Sequence, residues 1–222
     1  MIKVENIDVY GFETAIRGMR NPMNSWERSD SRVDIVDSID TGIEPIFVEG
    51  YVVGENDLDL MHRLFKAGTE HRKYLRMITV TMDITAPLYW WKEFDTYKVG
   101  TVCNSCSTMH KIHAKKFTMD DFSHDHLDDE NMWLFQDHII SRLNSCRDLF
   151  ISTKDKHYWW QMIQLLPSSY NQKRTIMMNY EVVYNILRQR KNHKLDEWNE
   201  LCEILKELPY IKKIMEGGVN HD

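Results

Sequence analysis

Two cysteines and two histidines lie close together in the middle of the sequence, in a spacing that could bind a metal ion. Two residues separate Cys103 from Cys106, and two separate His110 from His113. Thiolates and imidazoles are the usual ligands of zinc. Zinc fingers typically place about a dozen residues between the two pairs, whereas only three lie between Cys106 and His110. The spacing therefore favours a loop without metal over a zinc site.

A run of acids and histidines at positions 119–130 is a second candidate for metal chemistry. His124 and His126 flank Asp125, and further aspartates surround them at positions 120, 121, 128 and 129. Acidic side chains are stabilised near the N-terminus of a helix by its dipole. Because this run precedes a predicted helix, it is typical of a solvated helix start, and we predict no metal here.

Basic side chains gather at four places in the sequence. The clusters are 71–73, Lys111 with Lys115 and Lys116, Lys173 with Arg174, and 188–194. Arginine can bind a phosphate group through two parallel hydrogen bonds. Each cluster alone is typical of a solvated helix face, but clusters that the fold brings together could bind a phosphorylated ligand. The sequence contains no G-x-x-x-x-G-K, G-x-G-x-x-G or G-x-S-x-G motif, which argues against P-loop, Rossmann and α/β-hydrolase sites.

The net charge limits the class of ligand further. The 222 residues include 28 basic and 34 acidic side chains, which gives −6. Nucleic-acid polymers are bound largely through basic side chains that release counterions, so a small nucleotide is favoured over DNA or RNA. No apolar run approaches the roughly 20 residues of a membrane helix, and the first residues are too acidic for a signal peptide. Four cysteines are too few for a disulfide framework. These features predict a cytoplasmic protein without a membrane partner.

Hydrophobic periodicity predicts the elements that position these residues. The alternation of Ile78, Val80, Met82 and Ile84 with polar residues predicts a strand at 77–85 with one buried face. Further short strands are predicted at 2–4, 7–9, 46–48 and 51–53, and loops at 17–32 and 100–110. Helices are predicted at 57–66, 88–97, 132–150, 158–166, 175–190 and 195–208. A sheet-forming first half and a helical second half predict an α+β fold, with one domain over residues 1–222.

Two ungapped stretches, and a looser one before them, resemble the flavin-dependent thymidylate synthases. The first is APLYWWKEFDTYKVGTVCNSCSTM at 86–109, where the family shows A-P, an R-Q pair, and R-H-R separated from S by seven residues. The second is LPSSYNQKRTIMMNYEVVYNILRQRKNHKLDEW at 166–198, with the family's L-P opening, an Asn, and an Arg eleven residues later. The looser stretch, KAGTEHRKYLRMITVTMDI, is similar to the family's Gly-His-rich turn and following strand.

The resemblance implies that helices pack on a twisted, mainly antiparallel sheet. It also implies an enzyme that methylates C5 of a pyrimidine deoxynucleotide, converting dUMP or a close relative. FAD is the implied cofactor, and methylenetetrahydrofolate and NADPH are the implied co-substrates, so no protein nucleophile is needed. The family forms homotetramers with sites at subunit contacts. Trp90 and Trp91 support this, because their aromatic surface exceeds what one short helix hides alone.

The resemblance also assigns roles to individual positions of this sequence. The implied cofactor-binding residues are Thr96, Tyr97, Lys98 and Asn179. The implied substrate-binding residues are Lys173, Arg190, Glu93, Cys106, Ser107 and Thr108. Arg190 stands at the position that holds the pyrimidine, which makes it the predicted catalytic residue.

This chain departs from the family where R-H-R is replaced by Thr96-Tyr97-Lys98 and the motif serine by Cys106. Hydroxyl groups of the predicted 96–108 loop, including that of Thr101, could donate hydrogen bonds in place of the lost arginines. Two interpretations follow: a divergent enzyme, or a catalytically altered or inactive homologue that binds nucleotide or flavin on the same fold. A metal-dependent protein using Cys103, Cys106 and the two nearby histidines is a third.

Overall fold

The computed structural model describes residues 2–39 and 46–217 of the chain. Its strands are β1 (Lys3–Tyr10), β2 (Arg32–Ile39), β3 (Ile46–Val52), β4 (Thr79–Pro87), β5 (Thr101–Ser105) and β6 (Asn171–Asn179). Its α-helices are α1 (Phe12–Arg20), α2 (Glu55–Lys66), α3 (Leu88–Phe94), α4 (Thr108–Lys111), α5 (Asp129–Leu134), α6 (Ser141–Thr153), α7 (Lys156–Leu165), α8 (Tyr180–Gln189), α9 (Asp196–Lys206) and α10 (Ile211–Glu216). A π-helical segment, Phe135–Ile140, joins α5 to α6. The predicted α+β class is confirmed.

The chain forms two compact units. The first comprises Met1–Ile7, Met82–Met177 and Asn192–Leu201. The second comprises Asp8–Thr81, Met178–Lys191 and Cys202–Asp222. That residues 1–222 make one domain stays a prediction.

One sheet has four strands in the order β1-β4-β6-β5, and β2 pairs with β3 in a separate antiparallel hairpin. The strands β4 and β6 run antiparallel, since Leu88 N–H donates to the Tyr170 carbonyl and Tyr180 N–H donates to the Ile78 carbonyl. The alternation that predicted β4 is confirmed: the even-numbered side chains from Ile78 to Ile84 are at most 1% exposed. The predicted antiparallel sheet with packed helices is therefore confirmed.

The prediction of one helix over 175–190 is wrong for its first five residues, which belong to β6. Gln172, Ile176 and Met178 are buried, whereas Thr175 and Met177 are exposed. This two-residue period is that of a strand, and pairing with β4 supplies the backbone hydrogen bonds. The helix α8 begins only at Tyr180. The strand β6 and the helix α8 follow each other directly and have similar hydrophobicity. No glycine or proline marks the boundary between them in the sequence, so the sequence predicts one element.

Two predicted loops also contain regular structure. Residues 101–105 form β5, an edge strand whose residues from Val102 onward are exposed, so its sequence shows no hydrophobic alternation. Residues 17–20 belong to α1, which buries Phe12, Ala15, Ile16 and Met19 at helical spacing. The polar residues that follow α1 concealed that period in the sequence.

The remaining helix predictions are confirmed, with one change of register. The helices α2, α7 and α9 end within two residues of their predicted bounds, and α3 stops at Phe94 rather than at residue 97. In the long helical segment, Leu143 and Cys146 are buried as predicted, but Ile139 is 37% exposed and Ile140 is buried in its place. The π-helical segment shifts the buried face by one residue, because its hydrogen bonds span five residues instead of four.

Aromatic rings form the centre of the first unit. Trp90, Trp91 and Trp198 are fully buried, with ring centroids 4.7–4.8 Å from Trp90 to the other two. Phe94 stacks on Trp90 at 5.2 Å. The sequence argument that Trp90 and Trp91 support a subunit contact is therefore wrong, because α9 of the same chain contributes Trp198 and covers them.

A buried ion pair lies in the core of the second unit. Arg20 Nε donates to Asp57 Oδ1 at 2.6 Å, and both side chains are at most 5% exposed. The other carboxylate oxygen accepts hydrogen bonds from the hydroxyls of Ser29 and Ser31 and from the N–H groups of Asp30 and Ser31. Burial alone would raise the pKa of Asp57, but these donors hold it below its ordinary value.

Replacing one partner of this pair should strongly destabilise the protein. We expect Asp57→Asn to lower the free energy of unfolding by about 3–5 kcal/mol, since Arg20 would be left buried without a counter-charge. The control is Asp59→Asn on the same helix, whose ion pair with Arg63 is exposed and should be worth at most about 1 kcal/mol. Urea unfolding of the three proteins measures this difference, and equal midpoints for the two variants would contradict it.

Candidate functional site

A cavity of about 290 Å³ lies in the first unit, beside the C-terminal end of α3 and the start of β5. It is lined by Phe94, Asp95, Tyr97, Lys98, Thr101 and Cys103. Two of the three predicted cofactor-binding residues of the 96–98 segment thus line one cavity. The prediction of a loop over 96–108 is wrong in part, because residues 101–105 form β5 and α4 begins at Thr108.

The end of α3 positions the cavity residues through local hydrogen bonds. Tyr97 N–H donates to the Phe94 carbonyl at 2.9 Å, and Thr96 Oγ1 donates to the Glu93 carbonyl at 2.7 Å. These bonds continue the helical turn for three residues and direct the Tyr97 ring towards Trp198, with centroids 6.0 Å apart. The buried aromatic cluster therefore supports one wall of the cavity.

Three polar groups in this cavity are suited to a ligand. Lys98 is exposed and has no ion-pair partner within residues 2–39 and 46–217. Thr101 Oγ1 is buried and has no hydrogen-bond partner in the described part of the chain. The Cys103 thiol lies 3.8 Å from Arg174 Nη1. An unpaired buried hydroxyl is unfavourable, and a ligand oxygen or nitrogen would satisfy it.

Arg174 supports this cavity from β6. Its guanidinium lies 4.2 Å from the Trp91 ring and donates to Asp95 Oδ1 at 2.8 Å and to Gln172 Oε1 at 2.9 Å. Sequence reasoning named Arg174 only as part of a basic cluster and did not find the cavity role of Asp95. No signal in the sequence could have found these roles, because they depend on β6 being a strand, which places Arg174 on the same face as Gln172.

Lys173 points to the opposite face of β6 from Arg174, because neighbouring residues of a strand alternate. Its Nζ lies 3.1 Å from Asp83 Oδ2 and 3.6 Å from Glu5 Oε2. Hydrogen bonds from Thr175, Asn6 and Lys173 lower the pKa of Asp83 to about 2. The structure therefore separates Lys173 from the cavity and pairs it with two carboxylates.

Asn179 and Arg190 stand at the two ends of α8. Asn179 Oδ1 caps the helix by accepting from Val182 N–H at 3.1 Å. Arg190 follows the last helical residue and is partly buried, and its N–H donates to the Ile186 carbonyl at 2.8 Å. Eleven residues of helical rise place their backbones roughly 16 Å apart. The two side chains could therefore contact only different parts of an extended ligand.

The remaining predicted substrate-binding residues hold structural hydrogen bonds. Glu93 accepts from Trp198 Nε1 at 2.9 Å. The backbone of Cys106 pairs with Lys173, and its carbonyl also accepts from the Gln172 side chain. Ser107 Oγ caps α4, the short helix that begins at Thr108, by accepting from His110 N–H. No group of three or more His, Cys, Asp or Glu side chains within the described ranges could hold a metal ion.

The arrangement of strands and helices defines the fold class of the flavin-dependent thymidylate synthases. Two crystal structures of thymidylate synthase X (ThyX) from Helicobacter pylori, both with FAD and dUMP, share it. The first superposes with a TM-score of 0.66, covering 97% of this chain and 98% of its own, at 18% sequence identity. The second gives 0.65, with 98% and 100% covered, also at 18% identity.

The likeness is one of fold and not of sequence. No protein-family model and no curated protein matches the sequence. Among the helices of the described chain, none is both long enough and apolar enough to cross a membrane.

The capping role of Asn179 gives a stability prediction. We expect Asn179→Ala to lower the free energy of unfolding by about 1 kcal/mol, because Val182 N–H loses its acceptor. Asn179→Ser should retain most of the stability, since serine caps helices about as well as asparagine. Thermal or urea unfolding of both variants tests this. If the alanine and serine variants lost the same stability, the cap would not be the structural role of this residue.

Proposed function

We propose that this chain is a flavoprotein of the thymidylate synthase type, which binds FAD and a pyrimidine nucleotide such as dUMP. Its reaction would be the C5-methylation of that nucleotide, with methylenetetrahydrofolate as carbon donor and NADPH as reductant. The observation that carries the proposal is the likeness over nearly the whole chain to two proteins crystallised with FAD and dUMP. The cavity lined by Tyr97 and Lys98, which the resemblance aligns with the family's binding motif, agrees with the proposal.

The residues of this cavity fit part of a flavin nucleotide. Lys98 offers a positive charge to a phosphate group, Thr101 offers an unpaired hydroxyl, and Tyr97 offers an aromatic ring. Its volume of about 290 Å³ is just below the usual range of roughly 300–1,000 Å³ for sites that enclose a small molecule. The cavity of one protomer would therefore hold only part of FAD. This agrees with a homotetramer whose binding sites lie at subunit contacts. We also propose that the protein is cytoplasmic.

When bound, FAD would supply the transfer of the methylene group and the hydride, so the protein has to bind and orient the reactants. Lys98 would neutralise a phosphate, and Thr101 would donate a hydrogen bond. The Asn179 amide uses its oxygen for the helix cap, which leaves its N–H groups to donate to a ligand. Arg190 would hold the pyrimidine, since a guanidinium can donate two parallel hydrogen bonds and stack on a ring.

Lys173 favours a second candidate function, a catalytically altered homologue that binds flavin or nucleotide without methylating it. A phosphate at Lys173 would have to compete with Asp83 and Glu5, whose carboxylates already lie within 3.6 Å of its Nζ. This pairing would weaken phosphate binding at Lys173. At the cavity, Thr96-Tyr97 stand in place of two basic residues of the R-H-R motif, which would weaken phosphate binding there as well.

A titration with FAD tests both candidates. We expect the purified protein to bind FAD, and Lys98→Gln to weaken binding by about tenfold, as expected when a charge-assisted hydrogen bond is lost. The control Lys116→Gln removes an exposed lysine that does not line the cavity and should leave the affinity unchanged. Formation of dTMP from dUMP, methylenetetrahydrofolate and NADPH would support the enzyme, and FAD binding without dTMP would support the altered homologue. Absence of FAD binding would contradict both.

Arg190 gives a separate prediction for the nucleotide. We expect Arg190→Lys to weaken the binding of dUMP by about 1.5–3 kcal/mol, the range for a hydrogen bond to a charged group. The control is Arg188→Lys, which changes an exposed arginine that lies 5.6 Å from the Tyr184 ring and should not alter the affinity. Calorimetry with dUMP, UMP and dCMP measures binding, and thermal melts without ligand check the fold. Equal affinities for the wild-type protein and Arg190→Lys would remove Arg190 from the site.

A further inference from the structure

A larger cavity, of about 630 Å³, lies in the second unit and is separate in sequence from every residue assigned above. Its walls come from the end of α1, the turns that follow it, and the outer face of α2. This volume lies within the usual range of roughly 300–1,000 Å³ for small-molecule sites. Its lining is mainly polar, with Arg20, Arg28 and Arg63 among the residues around it.

Arg20 is the key residue of this cavity because the protein uses only part of its guanidinium. Nε donates to Asp57 at 2.6 Å, and Nη1 donates to the Ser25 carbonyl at 3.2 Å. Nη2 has no hydrogen-bond partner among the residues that the structure describes. The side chain as a whole is only 5% exposed. An acceptor in the cavity would satisfy the remaining N–H groups.

The Asp57 network fixes the orientation of that guanidinium. Ser29 and Ser31 donate through their hydroxyls to the second oxygen of the same carboxylate, at 2.7 and 2.6 Å. Asp57 is therefore saturated with donors and cannot turn away from Arg20. A donor held in this way does not lose conformational entropy when it binds a ligand, which favours affinity.

The charges around the cavity indicate which ligand would fit. Arg28 is exposed and has no partner among the described side chains, so it can join Arg20 in binding an oxyanion. Arg63 is paired with Asp59 at 2.8 Å. Asp30 accepts from the N–H groups of residues 56 and 57 at the start of α2.

The acidic side chains of the cavity would contact a part of the ligand other than its anionic group. Asp30 and Glu27 both line the cavity and would repel a ligand that is anionic throughout. Their free lone pairs can accept hydrogen bonds from hydroxyl groups. The lining therefore combines donors for one anionic group with acceptors for hydroxyls beside it.

We propose that this cavity binds a small polyhydroxylated anion, with a phosphate or carboxylate on Arg20 and Arg28 and hydroxyls on Asp30 and Glu27. The proposal goes beyond the flavin and pyrimidine nucleotide proposed above and does not depend on either. Phosphate and carboxylate both present two oxygen atoms that one arginine can bind through parallel hydrogen bonds. A phosphorylated probe and a carboxylate probe distinguish between these two anionic groups.

Calorimetric titrations of the full-length protein with ribose 5-phosphate, gluconate and ribose test the proposal. We expect one or both anionic probes to bind, and ribose to bind at least about tenfold more weakly because it lacks the charge-assisted hydrogen bonds. The stronger of the two anions identifies the oxyanion. Equal binding of all three probes, or no binding of any at millimolar concentration, would overturn the proposal.

Variants identify the site of binding. We expect Arg28→Gln to weaken the anionic probe about tenfold, and the control Arg76→Gln, an exposed arginine of the same unit, to leave it unchanged. Arg20→Lys keeps a positive charge for Asp57 but lacks Nη2, so it should also lose affinity; if it fails to fold, Arg28→Gln alone decides. Equal effects of Arg28→Gln and Arg76→Gln, or displacement of the probe by FAD, would overturn a separate site.

Discussion

The burial of two adjacent tryptophans in the middle of α3 is the constraint on which the candidate flavin cavity depends. Trp91 Nε1 donates to the Gln172 carbonyl at 2.9 Å, which ties α3 to β6. The face of the same indole receives Arg174, and Trp90 packs against Trp198 of α9. With both rings held from two sides, the residues that directly follow α3 have little freedom. Tyr97 and Lys98 are therefore placed by the aromatic core and not by the loop that contains them.

Much of the fold could be predicted from the sequence, because its strongest signals are periodic. The burial of alternate residues in β4 and the apolar faces of α2 and α9 all follow from side-chain spacing. The strand β6 could not be predicted, since Ile176 and Tyr180 are four residues apart and fit a helical face that continues through Val183 and Leu187. Pairing with β4 decides between strand and helix, and a pairing partner about 80–100 residues away leaves no mark on local periodicity.

The position of the candidate site along the chain could be predicted from the sequence. The side chains that pair with its residues could not. The resemblance assigned binding roles both to residues 96–98 and to Lys173. Of these, only Tyr97 and Lys98 line the candidate flavin cavity. The difference arises because Asp83 on β4 and Glu5 on β1 bring two carboxylates to Lys173. A sequence shows the charge of a lysine and not the charges that three strands assemble around it. Conversely, the Thr101 hydroxyl becomes notable only when its lack of a partner is visible.

The π-helical segment between α5 and α6 bears on how this protein tolerates changes of length. Phe135 and Ile140 both pack in the cluster around Phe122, although residues five apart on a regular α-helix lie roughly 140° from each other around the axis. The wide turn absorbs one surplus residue and returns the following helix to the register that buries Leu143 and Cys146. Removal of a single residue from Phe135–Ile140 would convert the segment to a regular helix, whereas the same deletion within α6 would rotate the rest of that helix away from its core.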